Sequence, residues 1–160
     1  QKTAYEISLG LVGSEMCIRD SNNLVSVAAV QVLENATDEN ISTIRGLLEP
    51  LIREDSSNDS HNAARFELMK NIMLASNNLP LQLIARTLFE QFAPNISAIG
   101  FYAVPDRARY ALYARQLDIA LTNRDLQAMR ATFDAFTDLN RETMARAFLL
   151  AERGQEAIAR

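Results

Sequence analysis

The sequence predicts an all-α chain, an antiparallel helical bundle of about six helices, on three observations. Apolar residues recur at spacings of three and four along most of residues 22–150. No stretch alternates apolar and polar residues with the two-residue period of a strand. The five glycines and four prolines are sparse and lie at the edges of the periodic segments.

Each element follows from local signals. Leu24, Val25, Val27, Ala28, Val30, Val32 and Leu33 form an apolar segment that stops near Asn35. Thr37 reads as an N-cap, with Asp38 and Glu39 placed where carboxylates suit the positive end of a helix. Ile41, Ile44, Leu47, Leu48, Leu51 and Ile52 then share one face, and Pro50 is expected to bend or shorten that helix. The polar run DSSNDSHN, Asp55 to Asn62, reads as a loop by composition. Phe66, Met69, Ile72 and Met73 repeat at helical spacing up to Ser76, and Pro80 opens a further helix carrying Leu81, Ile84, Leu88, Phe89 and Phe92. Pro94 is expected to kink or end it. Pro105 and Asp106 start the next helix, with Tyr110, Tyr113, Leu117, Ala120 and Leu121 on one side. After a TNRD turn capped by Asp125, the last helix carries Met129, Phe133, Phe136, Asn140, Met144 and Phe148.

At 160 residues the chain is long enough for one domain with a core of its own. Apolar residues make up 48% and charged residues 22%, which excludes wholesale disorder. No apolar run reaches the roughly 18 residues that a membrane span needs. A net charge of −4 argues against the chain gripping a phosphate backbone by itself. The expected setting is cytoplasmic.

Residues 1–21 stand apart. Glu6, Glu15, Arg19 and Asp20 interrupt the apolar run that a signal peptide would need. The segment resembles a translated sequencing adapter: a primer sequence accounts for Gln1 to Glu6 and a transposase end for Leu11 to Asp20. A short index fills Ile7 to Gly10 in frame. These residues are therefore set aside as adapter-derived. Taking Lys2 and Arg19 from the 16 basic residues, and Glu6, Glu15 and Asp20 from the 20 acidic ones, leaves 14 and 17 and a net charge of −3. Cys17, the single cysteine, goes with them, so no thiol or disulfide chemistry is expected.

Signals for catalysis are weak. The single histidine, His61, falls in the polar run and reads as a solvated loop residue, which leaves a nucleophile without a base. No glycine-rich phosphate loop, HExxH pair or calcium loop occurs. Sequons at Asn35, Asn40, Asn58 and Asn95 matter only in a secreted eukaryotic protein, for which nothing else argues. Glu49, Glu67, Glu90 and Asp118 are the carboxylates that burial could turn to acid–base work, although polar faces of amphipathic helices are their default position. The chain is not expected to be an enzyme.

The runs RFELMKNIMLASNNLPLQLIARTLFEQF, Arg65 to Phe92, and ARQLDIALTNRDLQAMRATFDAFTDLNRE, Ala114 to Glu142, resemble the ligand-sensing domain of GntR-family bacterial transcription regulators, the FCD (FadR-type) domain. The stretch TDENISTIRGLLEPL, Thr37 to Leu51, is similar to that domain's second helix. The resemblance implies a helical bundle over residues 22–150 that binds a small effector at its centre and pairs with a second copy as a homodimer. It implies a tail over 151–160, and DNA contact only through a preceding winged-helix domain that this sequence lacks.

Many members hold a divalent metal with an Asp and three His. The matching positions here are Arg65, Met69, Ala114 and Phe136, none of them a metal ligand. The resemblance is thus to the metal-free branch, with no cofactor. Arg65, Met69, Ala114, Phe136 and Asn140 are the candidate ligand-binding residues, apolar walls with Arg65 to anchor an anionic head, which would suit an organic acid or acyl-type ligand. The same Met and aromatic stripe is also what a filled core looks like. A ligand-free helical dimerisation or interaction module is therefore the alternative.

Overall fold

The computed structural model describes residues 24–53, 55–87, 90 and 104–158, with backbone alone for Phe148 and 151–158. The described residues are helical with no strand among them, an all-α bundle as the periodicity predicts. Residues 24–35 form α1, followed by α2 (Asp38–Gly46), the single turn α3 (Glu49–Ile52), α4 (Asn58–Ala75), α5 (79–87), α6 (Arg107–Asn123) and α7 (Leu126–Ile158). The expected adapter segment and the expected kink at Pro94 lie outside the described residues.

The helix boundaries follow from capping chemistry. α1 buries Val25, Ala28, Ala29, Val32 and Leu33, one stripe at spacings of three and four. The Thr37 hydroxyl accepts the Asn40 backbone N–H at 3.2 Å, while the Asn40 side chain accepts the Thr37 N–H at 3.3 Å. This reciprocal box satisfies two N–H groups that the first turn of α2 cannot bond internally. Pro50 sits in the first turn of α3, where its missing N–H costs nothing, so the chain bends between α2 and α3 as expected. Asp106 caps α6 by accepting the Arg109 N–H at 3.1 Å. Asp125 caps α7 by accepting the N–H groups of Gln127 and Ala128, both at 3.0 Å.

Between α6 and α7 the chain reverses through Arg124, which adopts a left-handed conformation at φ 49°. The Asp125 N–H reaches back to the Ala120 carbonyl at 2.9 Å, closing the end of α6. Glycine is the usual residue for such a position because it has no Cβ to clash. Here the Arg124 guanidinium spans the bundle to the carbonyls of Leu33 and Ala36 and to Asp38, so one side chain ties the hairpin to the α1–α2 junction.

The core lies where α6 packs on α7, α2 and α3, with α4 closing over α2 and α3. Leu117, Leu121, Met129, Leu139, Ile72, Ile44, Leu48 and Leu51 are its largest fully buried apolar side chains apart from Met73 and Val32. Ala111, Ala114 and Ala120 of α6 are fully buried as well. On α7, Met129, Phe133, Phe136, Asn140, Thr143 and Ala147 run down the buried face. Thr143, rather than Met144, continues the stripe, and its hydroxyl is satisfied by the Leu139 carbonyl at 2.8 Å. α7 continues unbroken past residue 150.

One sequence-based expectation is corrected. His61 is not a solvated loop residue: it is 1% exposed, inside α4. Ser57 accepts the Ser60 N–H at 3.1 Å and starts the helix within the polar run DSSNDSHN. Serine and aspartate are loop formers in bulk composition, but they are also the best starters of helices, and here the second property wins.

Candidate functional site

The side chains of interest meet where the first two turns of α4, the start of α6 and the middle of α7 converge. On α4, His61, Arg65, Leu68 and Ile72 fall at successive spacings of four, three and four, and so face one side. Tyr110 of α6 occupies the centre. Its ring lies 4.8 Å from that of His61 in an edge-on arrangement at 77°, and 4.8 Å from that of Phe136, tilted at 48°. The Arg65 guanidinium carbon sits 5.2 Å from the centre of the Tyr110 ring, within cation–π range.

Arg65 is held from both sides. Its Nη1 donates to the Asn62 side chain at 3.2 Å, and its Nη2 donates to Asn140 Oδ1 of α7 at 2.5 Å. This bond gives Asn140, a buried polar residue on an otherwise apolar stripe, its partner. Arg107, the first residue of α6, donates through Nη2 to the backbone carbonyls of Ser56 and Ser57 and to the Ser56 hydroxyl. Arg107 thereby fixes the chain leading into α4. Its Nη1, and both ring nitrogens of His61, are buried without a hydrogen-bond partner.

The electrostatics are one-sided. Among the described residues no carboxylate forms an ion pair with Arg65 or Arg107. Burial, and then the charges of Arg107 and Arg65, push the His61 imidazole down to about 3, so the ring is neutral at physiological pH. Burial lowers Arg107 as well, with Arg65 adding repulsion. The Tyr110 phenol is raised by burial, partly offset by the charge of Arg65 and a hydrogen bond with it.

Four of the five residues expected from the sequence come together. Met69, Phe136 and Asn140 line one small cavity of about 20 Å³ with Tyr110, Ile72 and Val25, and Arg65 is bonded to Asn140 at its edge. That volume is about the space of one water molecule. Ala114 is fully buried one turn beyond Tyr110, away from the cavity wall. Two larger hollows are open to solvent: about 240 Å³ between α1 and α7, beside Val30 and Arg130, and about 300 Å³ of polar surface between α2 and α4, beside Asn40 and Asn71.

His61, Arg107 and Tyr110 are the site residues that sequence reasoning passed over. His61 lies one helical turn before Arg65, in phase with Leu68 and Ile72, and that phase was the available signal. The carboxylates considered for acid–base work are surface groups. The side chains of Glu49, Glu67 and Glu90 are exposed, and Asp118 pairs with Arg45 at 2.6 Å. Among the described residues no group of three or more His, Cys, Asp or Glu side chains is placed to hold a metal ion, and no helix is long and apolar enough to cross a membrane. The chain matches no family model, no curated protein and no solved structure.

Proposed function

We propose that residues 22–150 form the effector-binding and dimerisation domain of a bacterial GntR-family transcription regulator of the FCD type. In this reading the domain is non-catalytic and metal-free, works in the cytoplasm, and senses a small organic acid or an acyl-type ligand. The observation that carries it is the Arg65–Asn140 bond beside the apolar wall of Tyr110, Met69 and Phe136. It places one fixed cation at the end of an apolar centre, which is what an amphipathic anion requires of a site.

Ligand entry would act by population shift. A ligand that binds a form with the centre opened draws the domain toward it, and the orientation of the paired DNA-binding segments changes with it. Met69, with three rotatable bonds, is the side chain best able to yield space. Because the resting cavity is small, the open form is a minor one, and apparent affinity falls by the fraction of molecules that are open. DNA contact belongs to a separate winged-helix segment, since neither the net charge nor the bundle suits it.

A second reading has an observation of its own. A cavity of about 20 Å³ suits a filled core, and thus a helical dimerisation module with no ligand. Native mass spectrometry of the chain purified from bacteria separates the two. A dimer carrying a co-purified acyl or organic-acid mass supports the sensor; a bare dimer that takes up no added carboxylate supports the module.

A further inference from the structure

We infer that His61, Arg65 and Arg107 form a carboxylate-binding site at the rim of the core, where the starts of α4 and α6 meet. The inference rests on the reading of the domain as effector-binding and names the chemistry at its polar end. The carriers are the three orphaned nitrogens, His61 Nδ1, His61 Nε2 and Arg107 Nη1. Buried polar atoms are nearly always bonded, because leaving one bare forfeits its solvation without return. Three in one place, on side chains from two helices, point to a missing partner.

Two of the three nitrogens are donors, so the partner accepts hydrogen bonds from them, and the guanidinium charge calls for an anion. The other ring nitrogen of neutral His61 is an acceptor that a carboxylate leaves unbonded. Arg107 Nη1 is a donor only, and neutral His61 presents one N–H donor and one acceptor. Two guanidinium groups stand beside it with no carboxylate in an ion pair among the described residues. Among the described residues, the acids nearby in sequence that form contacts are committed elsewhere: Asp55 to the Arg53 guanidinium at 3.0 Å, and Asp106 to the Arg109 backbone N–H. Asp59 is exposed. Both helices also direct the positive ends of their dipoles toward this place.

Arg65 and Arg107 are each partly exposed, whereas Arg107 Nη1 and the His61 ring are enclosed. A carboxylate therefore approaches along the outer faces of the two arginines and seats by displacing the side chains that cover these nitrogens. Behind them the Tyr110 ring leads to Phe136 and Met69. A carboxylate bearing an apolar chain therefore fits better than a free phosphate, its oxygens on Arg107 and His61 and its chain toward the aromatic wall. Arg65, already bonded to Asn140, supplies charge from the side.

The chain has a single histidine, so its ring nitrogens give one unambiguous set of ¹H–¹⁵N signals. Titrating the whole chain with sodium octanoate is expected to shift them saturably. Arg107→Gln is expected to weaken that response about tenfold or more, as loss of a charge-assisted bond should, with Arg107→Lys falling between. Circular dichroism checks that each variant is folded. Should Arg107→Gln unfold, the wild-type chain still decides the matter, through its thermal midpoint in octanoate against octan-1-ol. A greater rise with octanoate supports the site. Equal effects of octan-1-ol on midpoint or ring signals would overturn it, as would a response to inorganic phosphate alone. Octanoate bound by calorimetry with unmoved ring signals removes this site but leaves the effector-binding reading standing. A ring response to acetate with no tighter binding of longer acids keeps the site and removes the acyl effector.

Discussion

Lowering the pH from 7 to 5 should destabilise this protein through one residue. His61 is enclosed and neutral in the folded chain at about 3, against 6.5 for the free side chain. Between those values the unfolded chain binds a proton that the folded chain refuses, so stability is highest above pH 6.5 and falls as pH drops toward 3. Each pH unit within the window is worth about 1.4 kcal/mol, and the fall from pH 7 to pH 5 amounts to about 2 kcal/mol. For a domain whose whole stability is on the order of 5–15 kcal/mol, that is a substantial loss. The carboxylates held low by arginines, Asp55 beside Arg53 and Glu142 beside Arg109, lose their contribution only below ordinary values of 3.8 and 4.5, outside the range tested. Urea unfolding followed by circular dichroism at pH 7, 6 and 5 measures the effect. His61→Phe keeps an aromatic ring against Tyr110 and removes the titrating group, so its stability should stay level across that range. A variant as acid-sensitive as the parent chain, or a directly measured histidine titration near 6.5, would refute the reasoning.

Substitutions at three further positions probe the frame. Leu117→Ala, at a fully buried position of α6, should cost about 2–5 kcal/mol in urea unfolding, because it removes packed methyl groups and leaves a cavity. Thr37→Ala breaks the reciprocal cap of α2 and should cost about 1 kcal/mol by the same measurement. Arg124→Ala keeps the left-handed strain and loses the tie to the Leu33 and Ala36 carbonyls. It should lower the thermal midpoint, whereas Arg124→Gly, which relieves the strain, should fall less.

The bundle was legible because its elements announce themselves locally. Thr37, Pro50, Asp106 and Asp125 all occupy the capping or first-turn positions that their chemistry favours. Periodicity placed Leu117, Met129, Phe133 and Phe136 in the core for the same reason. The site was half legible. Arg65, Met69, Phe136 and Asn140 meet at one cavity edge, but they were selected through a resemblance, and their mutual contacts depend on how three helices cross. His61 was missed because its neighbours Asp59, Ser60 and Asn62 are polar, and composition outweighed phase. Arg107 was missed because an arginine at a helix start gives no sign of reaching across to Ser56 and Ser57.

Calorimetric titration of the chain with straight-chain carboxylates, from acetate through butanoate and hexanoate to octanoate, tests the proposed sensor most directly. Seating the carboxylate on Arg107 and His61 with the chain against Tyr110 and Phe136 predicts one site per chain. Affinity should rise about fourfold for each methylene buried. No binding by a folded chain at any length would contradict the sensor, and an affinity independent of length would remove the acyl-type ligand.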